Sequence, residues 1–146
     1  GYFDLVEFLL NDSRVDPSAQ YDEAIGSACE RGHANVVRLL LNDSRVDPTV
    51  DENEAIRWAS RNGHAEVVRL LLNDSRVDPT THDEYAIRWA SAKGHVDVVR
   101  LLLDDPRVEP SDVVDYAIRL ASATSNKDVM RLLLDNARVD PTSDDD

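Results

Sequence analysis

The chain has one cysteine, Cys29, so no disulfide can form within it and no cysteine-based zinc site can be built. A lone thiol suits a reducing compartment. Methionine is equally scarce. Met130 is the only one, and no signal-peptide pattern opens the chain. The chain therefore reads as a fragment or processed form, with a cytoplasmic or nuclear location expected. No apolar run approaches the ~18 residues of a membrane span. Glycine is limited to five residues and never gathers into a phosphate-cradling loop. A nucleophile elbow and a His-Glu-x-x-His pair are missing too, and no cofactor is implied. Basic residues are outnumbered, 16 against 29 acidic, for a net charge of −13. That balance argues against DNA or RNA, whose phosphates need clustered Lys and Arg. It points instead to a protein partner with a basic or mixed surface, with no membrane and no small-molecule substrate.

What is present is a repeat. Hydrophobic residues make up 42% of the 146 positions, ample for one domain with a core. Asp-Pro recurs at Asp16-Pro17, Asp47-Pro48, Asp78-Pro79 and Asp140-Pro141, with Glu109-Pro110 between, always 31 residues apart. A fixed period overrides residue-by-residue assignment. The array spans 1–141, with a partial unit at 1–17 and full units at 18–48, 49–79, 80–110 and 111–141; an acidic tail, 142–146, follows. In the second unit Ala55, Ile56, Ala59 and Ser60 mark one face of a first helix, and Val67, Val68, Leu71 and Leu72 mark a second. Asn53 fits an N-cap and Gly63 a left-handed C-cap, and Pro79 forbids continuation past the loop. Such short helices are marginal alone. Each must bury its apolar stripe against the next unit, which predicts an all-α solenoid of stacked helix-turn-helix units.

The unit resembles the ankyrin repeat. Gly32-His33, Gly63-His64 and Gly94-His95 each precede a Val-Val-x-Leu-Leu-Leu helix, as in Ala65 to Leu72 and Val96 to Leu103. The resemblance covers essentially the whole chain. Its usual period is 33, and the Thr-Pro-Leu-His opening is replaced here by Glu54-Ala55-Ile56-Arg57 and Tyr85-Ala86-Ile87-Arg88. A shorter loop implies short connections or a reduced β-hairpin between repeats. Ser125-Asn126 replaces Gly-His in the last unit, which predicts a looser turn there.

Comparing the units separates core from surface. Ala24/Ala55/Ala86/Ala117, Ile25/Ile56/Ile87/Ile118 and the Leu-Leu-Leu runs are constant. The four positions that open each first helix differ, as does the pair that ends it. In arrays like the ankyrin family these positions line one concave surface. The resemblance thus implies a non-enzymatic protein-interaction module, with Asp51, Glu52, Asn53, Trp58, Arg61, His82, Asp83, Glu84, Trp89, Lys93, Asp112 and Asp115 as candidate contacts. The alternative is a structural spacer or scaffold segment of a larger multidomain protein, such as a ligase adaptor or a pathogen effector. Trp58 and Trp89 suit either binding anchors or covers for the joint between first helices.

Other repeated residues read as structural. His33, His64 and His95 lie one unit apart, about 10 Å, too far to share a zinc. A hydrogen-bonding turn is expected of them, and no catalytic or metal residue is assigned. The ladders Arg45/Arg76/Arg107/Arg138 and Arg38/Arg69/Arg100/Arg131 are expected to pair with nearby acids such as Asp47, Asp78, Glu109 and Asp140, or with acids on the next unit. Asn11, Asn42 and Asn73 each open an Asn-Asp-Ser sequon, read here as a helix-ending loop. The partial unit supplies only a second helix, with Leu5, Val6, Leu9 and Leu10 toward the core and Phe3 and Phe8 partly shielding an otherwise open flank. Continuation at that end, or contact with another chain, is expected.

Overall fold

A computed structural model describes residues 2–108 and 110–137; the side chains of 2, 20, 21, 83, 110–114 and 137 fall outside that description, as do Arg138, Asp140 and the tail. The order is α1 (Tyr2–Leu10), α2 (Ala19–Glu30), α3 (Ala34–Leu41), α4 (Val50–Arg61), α5 (Ala65–Leu72), α6 (Thr81–Lys93), α7 (Val96–Leu103), α8 (Pro110–Ala123) and α9 (Lys127–Ala137). The described residues contain no strand, so the short-loop alternative holds and no reduced hairpin forms. Helices α2, α4, α6 and α8 pack side by side in one layer, and α1, α3, α5, α7 and α9 form the second. Each first helix also packs on the second helix of its own unit. The architecture is an all-α repeat solenoid.

The core lies between the layers. Ile56, Ala59, Val67, Val68 and Leu71 are fully buried in the second unit, and Ile87, Ala90, Val98, Val99 and Leu102 repeat them in the third. Ala55, Ala86 and Ala117 are buried but Ala24 is exposed, because no described helix precedes α2 in its layer. The same cause opens α1. Val6 and Leu10 are half-buried, whereas Leu5 (53%) and Leu9 (38%) face out, and Phe8 is 70% exposed and covers little of the flank.

The constant Asn-Asp-Ser-Arg-Val-Asp-Pro stretch builds the joint. Asn42 and Asn73 follow the last turns of α3 and α5. The Asp43 carboxylate accepts from the Arg45 backbone N–H at 3.0 Å and from its guanidinium at 2.9 and 2.6 Å. The guanidinium then reaches back one unit, Nη1 donating to Val15 O (3.0 Å) and Nη2 to Leu10 O (3.2 Å). Arg76 donates to Val46 O (3.0 Å), and Arg107 to Val77 O (2.7 Å) and Leu72 O (2.9 Å). The expected acid partners were Asp47, Asp78 and Glu109; the actual ones are Asp43, Asp74 and Asp105, two residues before each arginine, where the fork meets both oxygens. The guanidinium holds the Asp43 carboxyl at about 2. In the second ladder, Arg38 and Arg69 both reach Glu66, at 3.5 and 3.2 Å. Val46, Val77 and Val108 then plug the core, and Pro48 and Pro79 are buried beside them. Asp47 and Asp78 close the turn by accepting from the backbone N–H and hydroxyl of Thr49 and Thr80 at 2.7–2.9 Å.

The Gly-His turns form a second ladder. Gly32, Gly63 and Gly94 have φ of +75, +79 and +80, and the side chain of the following unit lies on each. His64 Nε2 donates to Glu30 O at 2.9 Å and His95 Nε2 to Arg61 O at 3.0 Å. A carbonyl only accepts, so Nε2 carries the proton in both. Asn126 stands where a fourth histidine would and donates to Ser91 O (3.1 Å) and Ala92 O (2.8 Å). Ser125 takes φ +60 and keeps the same turn, so the looser geometry expected of the last unit is not found.

Candidate functional site

The entries to α2, α4 and α6 contain left-handed residues. Asp51, Glu52 and Asn53 have φ/ψ of 50/48, 55/53 and 61/40, and Asp22, His82 and Glu84 repeat the positive φ in their units. Residues other than glycine pay roughly 1–2 kcal/mol each to stand there. The joint holds them in place. Asn53 Oδ1 accepts the Asp78 backbone N–H at 2.8 Å, and Asp22 Oδ1 accepts that of Asp47 at 3.1 Å. Asn53 is thus buried and committed to an internal bond, which differs from both its expected cap and its expected surface role. Asp51 and Glu52 are pushed outward and exposed, and Glu52 meets His82 of the next unit. Glu84 is half-buried. The side chains of Asp83 and Asp112 lie outside the described residues.

Beyond the tips, α4, α6 and α8 carry a continuous row of rings and arginines. Trp58 is half-buried, with Nε1 donating to Glu54 Oε1 at 2.6 Å. The Arg61 guanidinium lies between two indoles, 4.9 Å from the Trp58 centroid and 4.8 Å from that of Trp89. Trp89 is 38% exposed and its ring sits 5.8 Å from Tyr85. The Arg57 guanidinium lies 5.5 Å from the Tyr85 centroid, and its Nη2 donates to Asp51 O at 2.6 Å. Arg88 stacks on Tyr116 at 3.9 Å. Lys93 is exposed, and so is Asp115, which faces Arg119 at 3.7 Å. The structure therefore brings Trp58, Arg61 and Trp89 together, sets Asp51, Glu52 and His82 at one rim, and leaves Lys93 and Asp115 at the margins.

Arg57, Tyr85, Arg88 and Tyr116 belong to the same row and escaped the sequence comparison. Their columns held the signal: Glu23/Glu54/Tyr85/Tyr116 changes along the array, and Gly26/Arg57/Arg88/Arg119 is a third arginine ladder. Among the described residues no three of His, Cys, Asp and Glu gather as metal ligands, and no helix is long and apolar enough to cross a membrane. Cys29 is fully buried and burial pushes its thiol up to about 12. A thiol so hard to ionise is a poor nucleophile.

A family model for ankyrin repeats, three copies, matches residues 1–83. The chain belongs to the ankyrin-repeat family. Its units beyond the match keep the same columns, from Ala86-Ile87 to the Val129, Met130 and Leu133 helix. No curated protein sequence matches the chain. Ankyrin repeats are in general protein–protein interaction modules and typically not enzymes.

Proposed function

We propose that this ankyrin array is a non-enzymatic interaction module that seats one partner protein on the first-helix layer, gripping it with the aromatic–arginine row and the acidic tips. One observation carries the reading. Large rings and guanidiniums lie in the solvent-facing row of α4 and α6, while the residues beside them, Ala55, Ile56, Ala86 and Ile87, are buried. Trp, Tyr and Arg dominate the energetics of protein interfaces. Packing between successive first helices is more extensive than between second helices, which favours this layer as the inner, concave one. A mixed partner surface suits the row, with basic groups against Asp51 and Glu52.

The test is a binding partner isolated on the full chain and then measured by calorimetry. Trp58→Ala and Trp89→Ala should each weaken binding by about 2 kcal/mol, and Glu52→Lys should slow association. Unchanged affinity in both tryptophan variants would remove this reading and leave the spacer or scaffold role.

A further inference from the structure

The chain is acidic, but its first-helix layer is not uniformly so. Helix α2 carries Asp22, Glu23 and Glu30 and no basic residue. From the column of Asp22 onward, α4, α6 and α8 set Arg57, Arg61, Arg88, Lys93 and Arg119 against Glu54, Glu84 and Asp115. Glu54 is engaged by the Trp58 indole and Asp115 by Arg119. Over these helices the sign of the charge reverses along the array, where the described rings of Trp58, Tyr85, Trp89 and Tyr116 lie.

Arg61 is the centre of that reversal. Two indole rings flank its guanidinium carbon, at 4.9 and 4.8 Å from their centroids, so it is held in place by rings and not by an acid among the described residues. Of its five N–H donors, one reaches a protein atom beyond its own helix, Nη1 to Tyr85 Oη at a long 3.5 Å. It meets no carboxylate among the described residues. Its column continues as Ala92 and Ala123, so no bulky side chain stands at the corresponding place on α6 or α8. A preorganised, ring-flanked guanidinium with free donors is complementary to a carboxylate. A polyanion is disfavoured by the chain's net charge of −13.

Resting on the binding face proposed above, we infer that the partner presents an Asp or Glu carboxylate to the Arg61 fork, with apolar atoms beside it on Trp89. The partner's contact is acidic at the helices, and its basic groups meet the tips.

Random short peptides displayed on phage and selected on the full chain test this directly. The selected peptides should share an acidic residue next to an apolar one. Converting that acid to its amide should weaken binding roughly tenfold, Arg61→Gln should do the same, and the two together should cost no more than either alone. Arg61→Lys, which keeps the charge but loses the fork, should fall between. Circular dichroism of Arg61→Gln should match the parent, which separates lost binding from lost fold. Selection of peptides without an acid, indifference of the acidic peptides to Arg61→Gln, or no selected peptide at all would overturn the inference. Loss of binding in Trp58→Ala and Trp89→Ala with indifference to Arg61→Gln would defeat the carboxylate alone. Indifference to all three substitutions would defeat the binding face as well.

Discussion

Gly63→Ala probes the joint beneath the candidate face. At φ +79 an alanine bears left-handed strain, roughly 1–2 kcal/mol, partly offset because alanine orders the unfolded chain. The larger cost is steric. A Cβ at Gly63 would stand 2.6 Å from His95 Nδ1, 2.7 Å from Cε1 and 2.9 Å from Cγ, so the ring must move. Moving it strains packing by about 1–3 kcal/mol and breaks the bond to Arg61 O. The expected total is about 2–4 kcal/mol. In a His95→Ala background the ring is gone and only the backbone share should remain, about 1 kcal/mol. Ser125 shows that share to be tolerable, since it stands at φ +60 in the same column. Urea unfolding followed by tryptophan fluorescence is the assay, because the only two tryptophans, Trp58 and Trp89, lie on the helices this joint connects. Equal costs in the two backgrounds would refute the steric argument, and a cost below about 0.5 kcal/mol in the parent would refute the ladder altogether.

Three further expectations concern stability. Ser60 and Ser91 are fully buried and their hydroxyls have no hydrogen-bond partner among the described residues, so Ser60→Ala should stabilise the fold by about 1 kcal/mol in urea, with Ser91→Ala adding nearly as much again. A loss of stability would mean those hydroxyls are satisfied. Arg107→Lys keeps the charge but gives up the fork to Asp105 and the reach to Val77 O and Leu72 O, and should cost about 1–2 kcal/mol. Arg14→Lys is the control. The Arg14 side chain is 87% exposed and among the described residues holds only Asp12, so its unfolding curve should overlay the parent's. Asp12, Asp43, Asp74 and Asp105 are all held below the ordinary carboxylate range by the arginine two residues on. Because their folded pKa values are depressed, the stability they add is present above about pH 4 and is lost as pH falls from there toward the folded value, about 2 for Asp43. Urea midpoints at successive pH values should be flat above pH ~5 and drop below pH ~4, and Asp43→Asn should flatten that drop. An equal drop in Asp43→Asn would remove this residue from the account.

The period made most of the fold legible. Once Asp-Pro recurs every 31 residues, helix pairs and core columns follow, and the buried Ile56, Val68 and Leu71 stand where periodicity puts them. What escaped was tertiary. Besides the acids two residues before them, Arg45, Arg76 and Arg107 donate to backbone carbonyls about 30 residues away, and side-chain patterning cannot reveal a carbonyl. Asn53 looked like a cap because Asn caps helices well. Its three-residue left-handed entry instead turns the amide toward Asp78, and no local rule anticipates consecutive non-glycine residues at positive φ. Leu5 and Leu9 look like core by spacing, yet a stripe is buried only where a neighbour exists to cover it.

The face and the joint are not independent. Arg61 receives its conformation from three sources: Trp58 one turn earlier in its own helix, Trp89 on the next first helix, and His95, which binds its carbonyl from the next turn. Two of the three belong to the following unit, so the guanidinium is positioned by stacking and not by the repeat that encodes it. An isolated unit would leave Arg61 as a flexible chain with the entropy of one. In the array the two rings and the bonded carbonyl restrict that freedom in advance, so on the proposed binding face less of it would remain to be lost. A period of identical joints with one changing row therefore does two tasks with one set of contacts: the ladders set the spacing of the units, and the spacing sets the aim of the fork.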